Sequence, residues 1–225
     1  MDAQGIGRIA ANTTLAACTG GFGAMLAALW WGPTKGKFDL AFSINGMLAG
    51  LVAITCPCYW VSPLGAILLG FVAGFVVFAG VYLFEWFRID DPVGAVAVHG
   101  LAGIWGTISL GFFACGLYGA TGPTGADNSA PLAGLFYGGG TAILKAQVIG
   151  SAFIVTATFA VAITMMWLIR LLPYPWNLRV EAHGETGPGG LDVFEHGARA
   201  YADVEDSGVP GTVGVKDGEL VLELS

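Results

Sequence analysis

Charge is what this sequence has least of: 11% of its residues are Asp, Glu, Lys or Arg, against roughly a quarter in an ordinary soluble domain. With 55% hydrophobic residues and a mean hydropathy of +0.72, the chain cannot cover its surface for water. A soluble globular fold is therefore excluded, and an integral membrane protein is expected. Catalytic signatures are missing as well. There is no phosphate-cradling loop, nucleophile elbow, HExxH helix or basic aromatic patch, which leaves soluble enzymes and nucleic-acid binders without support. The four cysteines, Cys18, Cys56, Cys58 and Cys115, show neither zinc-finger nor redox CxxC spacing. Cys56-Pro57-Cys58 is too tight for an ordinary disulfide, so the cysteines are expected to pack as small buried hydrophobes, with no metal site and no cofactor. Residues 1–8 carry no basic segment leading into a compact apolar core, so no removable signal peptide is expected. The formal charge of −7 says little about partners, because the acids concentrate after Glu181.

What the chain does have is five apolar stretches, at about residues 9–31, 40–59, 64–84, 92–116 and 143–172. Each is long enough to cross a hydrocarbon core of roughly 30 Å as a helix, and the last is long enough to tilt or project. The expected fold class is all-α, a polytopic membrane helical bundle of five transmembrane helices. Thirty-six glycines are costly in such helices, at roughly 1 kcal/mol each relative to alanine in water. Their number implies unusually close helix crossings. Alternating the loops puts Lys35, Lys37, Arg88, Arg170 and Arg179 on one side and only Arg8 and Lys145 on the other. The positive-inside rule then places the amino terminus outside and the carboxyl terminus in the cytoplasm.

After Pro173-Tyr174-Pro175 the composition turns polar and acidic, which divides the chain into a membrane domain, residues 1–175, and a cytoplasmic tail, residues 176–225. Gly187-Pro188-Gly189-Gly190 reads as a flexible joint. The alternation Glu219-Leu220-Val221-Leu222-Glu223-Leu224 fits either a short strand against a partner or a solvated end.

Residues 90–106 organise the rest. Asp90-Asp91-Pro92 reads as a helix start, because carboxylates suit the positive end of the helix dipole and proline costs least in the first turn. About two turns further in, His99 is the one histidine within a span; His183 and His196 lie in the tail. An ionisable side chain at that depth is costly and marks a functional site. Ala95, one helical turn earlier, should share its face.

These residues resemble the ammonium transporter family of the ammonium transporter/Rh superfamily. The resemblance rests on Asn12-Thr13 with its alanine-rich continuation, on the residues 90–106 block with His99-Gly100, and on Gly190-Leu191-Asp192, His196-Gly197 and Tyr201. It covers about residues 9–202. Family members have eleven transmembrane helices in two inverted five-helix repeats plus one. This chain resembles helices seven to eleven with the cytoplasmic tail.

The resemblance implies ammonium/ammonia transport through a hydrophobic pore with a histidine relay, in the plasma or inner membrane. His99 matches the second of two facing pore histidines, with Ala95 and Val98 as further candidates for the pore wall. Asp90, Asp91, Asn12, His196 and Gly197 are implied in structural or regulatory roles, the aspartates as helix caps or as a link to the tail. Trp105 is expected to pack rather than to meet substrate. The first histidine and the outer recruitment site belong to a first half that this sequence does not contain. A partial or split transporter is implied, either a homotrimer or an assembly with a missing N-terminal half. A PII-type signalling protein is an implied partner besides the lipid bilayer. The alternative is a non-conducting ammonium sensor or regulatory subunit.

Overall fold

The computed structural model describes residues 3–32, 36–91, 93–119, 131–173, 212–216 and 219–223. Among the described residues, five α-helices follow in order: α1 (Ala3–Trp31), α2 (Leu40–Thr55), α3 (Pro63–Trp86), α4 (Ala102–Phe113) and α5 (Ala142–Arg170). A π-helical segment, Val96–Leu101, leads directly into α4. Four of the resulting helices are long and apolar enough to cross a membrane, and α2 is a shorter apolar helix. The chain is a multi-pass membrane protein with an all-α membrane bundle. Two small hairpins accompany it, β1 (Cys115–Gly119) with β2 (Pro131–Ala133), and β3 (Thr212–Lys216) with β4 (Glu219–Glu223).

The chain divides into two compact units, Met1–Ala157 and Thr158–Ser225. In the first, α1 runs between α2 and α3 along a stripe of small residues. Ala16, Gly20 and Ala24, four apart, share one helix face. They meet Gly46 and Gly50 on α2 and Gly70 and Gly74 on α3. A Cβ added at Gly50 or Gly70 would overlap the Ala16 carbonyl, and one at Gly46 or Gly74 the Gly20 carbonyl. Lipid offers no hydrophobic drive for helix association, so backbone-to-backbone approach of this kind supplies the van der Waals contact instead. The same device seats α4, where Gly106 lies against the Ala53 backbone of α2. Around the stripe, Leu69, Val77, Ile54, Val61 and Val98 fill one continuous core.

Helix ends follow local chemistry. The Asp39 carboxylate accepts from Phe42 N (3.0 Å) at the start of α2, and Ser62 Oγ accepts from Gly65 N (3.1 Å) at α3, with Pro63 in its first turn. These caps satisfy amides that have no partner within the helix. The C-terminus of α3 closes with Arg88 N donating to Glu85 O and Ile89 N to Phe84 O, both at 2.9 Å. This is the Schellman arrangement, and it forces the residue after the cap into the left-handed region. Here that residue is Arg88, at φ 57°. Glycine pays no Cβ penalty there. Arg88→Gly is therefore expected to hold or raise the melting temperature in detergent, whereas the β-branched Arg88→Val should lower it.

Two of the expected spans are corrected in extent. The second ends as a helix at Thr55 rather than near residue 59, so α2 is about 24 Å long. Residues 56–60 continue as turns. The fourth does not begin at the aspartates, because regular helix starts only at residues 95–96. The cysteines are corrected as well: all four are free, but Cys18 is exposed and only Cys115 is buried.

Within the first unit, α5 leans on α4 through Gly111 against Leu144 and through Ser151 Oγ donating to Thr107 Oγ1 (3.0 Å). No residue of α5 is buried. In the second unit, α5 runs to Arg170, and β3 and β4 pair in register from Thr212 with Glu223 to Lys216 with Glu219. Residues 219–223 of the alternating stretch thus form a strand whose partner is the segment just before it.

Candidate functional site

The site is built where α3 hands over to α4. Gly94 turns the chain at φ +68°, and its N–H bonds back to Asp91 O (2.9 Å). The Asp91 carboxylate then reaches forward, its Oδ2 accepting from Val96 N (2.9 Å) and Ala97 N (3.3 Å), while Val98 N donates to Gly94 O (2.8 Å). The first three amides of the π-helical segment are all satisfied from this loop. Anionic charge at a helix N-terminus is also favoured by the helix dipole. Capping is thus what Asp91 does, from five and six residues away. Asp90 is exposed, and Pro92 lies outside the described residues.

The π-helical segment sorts its side chains into two sets. Ala97 and Val98 are buried in the core. Ala95, Val96, His99 and Gly100 face outward. Ala95 and His99 are thus both exposed, whereas Val98, the other candidate for the pathway wall, is buried. Close approach of this segment to α3 is permitted by Gly80, where a Cβ would crowd Ala97 and Leu101.

Asn12 is fully buried on α1, and its Nδ2 donates to Cys58 O and Val61 O, both at 2.9 Å. These carbonyls belong to the irregular turn after α2, so the amide replaces helix hydrogen bonds that the turn has lost. Its Oδ1 accepts no hydrogen bond among the described residues. Asn12→Leu is therefore expected to cost what two orphaned carbonyls cost, about 1–3 kcal/mol each at most. A thermal melt followed by size-exclusion profile measures it.

Trp105 is committed elsewhere than to a ligand: its indole Nε1 donates to Leu69 O (3.0 Å) in the middle of α3. Arg8 stacks its guanidinium over the Tyr59 ring, 4.6 Å from the centroid. His196 and Gly197 lie outside the described residues.

Sequence reading missed Asn45 and Gly94. Asn45 Nδ2 sits 3.4 Å from Val93 O, and 3.2 Å from where a Cβ on Gly94 would be. A signal for it existed, since Asn45 is the one carboxamide side chain in the apolar α2 stretch.

Residues 1–201 match the sequence profile of the Ammonium Transporter Family. Ammonium transporter Amt2 of Archaeoglobus fulgidus is 38% identical over 193 residues, covering 86% of this chain and 38% of that protein. The crystal structure of Saccharomyces cerevisiae Mep2 superposes with a TM-score of 0.68 at 25% identity, over 79% of this chain and 39% of that one. A structure described as a sensor Amt protein gives a TM-score of 0.66 at 27% identity, over 87% and 43%. The chain thus spans about two fifths of the length of the proteins it matches.

Proposed function

The chain belongs to the ammonium transporter family, and on that premise we propose that it forms one half of a pathway for ammonium or ammonia across the membrane. The observation that carries this reading is His99, an imidazole presented outward from a helix long enough to cross the bilayer. Moving a bare ammonium-sized ion into a low-dielectric medium costs on the order of 20 kcal/mol in the idealised limit. A narrow apolar route therefore favours neutral ammonia, with its proton detached or passed separately. Imidazole suits that task, since one ring nitrogen donates while the other accepts and its charge changes near neutral pH. Ala95, beside His99, would form pathway wall, and Val98 would back that wall from the core.

In this reading the five helices correspond to helices seven to eleven of the family fold. The facing histidine comes from a first half, on the same longer polypeptide or on another chain. Subunits assemble as homotrimers in the plasma or inner membrane, with the amino terminus outside. Residues 1–175 form the membrane domain and residues 176–225 a cytoplasmic tail. Asp90 and Asp91 would lie on the side where a PII-type protein docks, and His196 and Gly197 would act as structural or regulatory residues of the tail. The chain is a transporter component and no enzyme. The non-conducting sensor is the weaker reading, because the curated relative named above is itself called a transporter.

Methylammonium uptake in transporter-deficient cells tests the proposal, with this chain expressed alone and with a first half taken from a relative. Uptake that appears only when both halves are present is the expected result. Absence of uptake in both cases, despite stable insertion of both pieces, would overturn it and put the sensor reading first.

A further inference from the structure

We propose that Asn45 of α2 is a positioning residue for His99, acting through the Val93–Gly94 turn and the Asp91 cap. The inference rests on the reading of His99 as a pathway residue, but its physical argument is independent of transport. A π turn holds roughly one residue more than the 3.6 of an α turn. Relaxation of Val96–Leu101 to α-helix would swing His99 about the helix axis by roughly a quarter turn. The direction of the imidazole is therefore set by whatever fixes where the π-helical segment begins.

That origin is fixed from two sides. Asp91 Oδ2 holds the amides of Val96 and Ala97 at 2.9 and 3.3 Å, and Gly94 O holds the amide of Val98 at 2.8 Å. These bonds define the segment's first turn only while the loop carrying Asp91 and Gly94 stays in place. The loop bends at Gly94 with a positive φ. Outside its own residues it meets Val81 of α3 and Asn45, whose Nδ2 lies 3.4 Å from Val93 O and 3.2 Å from where a Cβ on Gly94 would be. The Nδ2–O separation is long for a hydrogen bond. Asn45 acts as a wedge of the right shape as much as a donor. One residue later, Gly46 locks α2 to the Gly20 backbone of α1. Asn45 therefore projects from one of the most tightly held points of the bundle, and it references the start of the π-helical segment to that point. Gly80 of α3 closes the arrangement from the other side by admitting Ala97 and Leu101.

The test uses the full chain in lipid nanodiscs with isotope-labelled histidine, His99 being identified by the signal lost in His99→Ala. Asn45→Leu keeps the side-chain bulk but removes the donor, and Asn45→Ala removes both. Asp91→Asn keeps an acceptor oxygen, so it serves as the conservative variant of Asp91→Ala. The expected result is a moved His99 ring resonance and a changed rate of diethylpyrocarbonate modification at His99 in Asn45→Ala and Asp91→Ala. Amide exchange at Val96 and Ala97 should accelerate by roughly fivefold or more. Asp91→Asn should restore most of the wild-type pattern. Asn45→Leu separates the two parts played by Asn45, and a resonance moved less than in Asn45→Ala is expected.

Unchanged His99 resonances and modification rates in folded Asn45→Ala, judged by its melting temperature, would overturn the proposal. So would faster exchange at Val96 and Ala97 with His99 unmoved, because the cap would then be structural only. Failure of the transport reading looks different: His99 responds to Asn45 as stated, yet no uptake is seen with either half-combination.

Discussion

Gly50→Leu is expected to abolish the folded bundle, leaving protein that is fully digested by protease in membranes and absent from the size-exclusion peak. The expectation follows from what surrounds Gly50. A Cβ there overlaps the Ala16 carbonyl and closes on the Ala17 Cα. Overpacking against movable side chains typically costs about 1–3 kcal/mol. Here the neighbours are main chain in the middle of α1, and α1 is held on its other side by Gly70 and Gly74 of α3. Relief requires separating two helices at once, so the cost should exceed that range. Even Gly50→Ala should lower the melting temperature clearly. Gly150→Ala is the control, because nothing lies within 4 Å of where its Cβ would be. That change should be neutral or stabilising by up to about 1 kcal/mol through helix propensity. Equal behaviour of the two variants would show that the glycine stripe does not hold the bundle.

His99→Ala carries the second large effect. In cells making both halves, methylammonium uptake at subsaturating concentration is expected to fall roughly 10²-fold, the lower end of what a positioned proton-transfer group contributes. Membrane abundance and melting temperature should stay near wild type, since His99 faces outward and caps nothing. An unchanged uptake rate and unchanged selectivity against alkali cations would remove His99 from the pathway. Loss of abundance would instead assign it a packing role. Ala95→Leu, likewise at an exposed position, should also reduce uptake by narrowing the route, again without loss of fold.

Much of this architecture can be read from composition and spacing. Apolar runs of bilayer length located α1, α3 and α5 to within a few residues at most ends, and the scarcity of charge made His99 conspicuous. Other features escaped because they depend on contacts between segments distant in sequence. Where α2 stops is decided by Asn12, forty-six residues before Cys58, whose carbonyl it holds. Arg88 occupies a left-handed position that sequence rules reserve for glycine, and only the hydrogen bonds at the end of α3 reveal it. The π-helical segment has no known periodic signature in so short a stretch. Its evidence is the forward reach of the Asp91 carboxylate. The abundance of glycine announced close crossings, yet which glycines meet which alanines depends on the register of α1 against α2 and α3.

The contacts between Ala16, Gly20, Gly46, Gly50 and Gly74 have a consequence for genetics. In a core made of side chains, a substitution that is too large can be rescued by a second one that trims its neighbour. Where the neighbour is a carbonyl or a Cα, there is nothing to trim. A defect at Gly50 should therefore yield true revertants and no intragenic suppressors among the residues it touches. Random mutagenesis should find such suppressors for damage at Leu69 or Val77, where the surroundings are side chains.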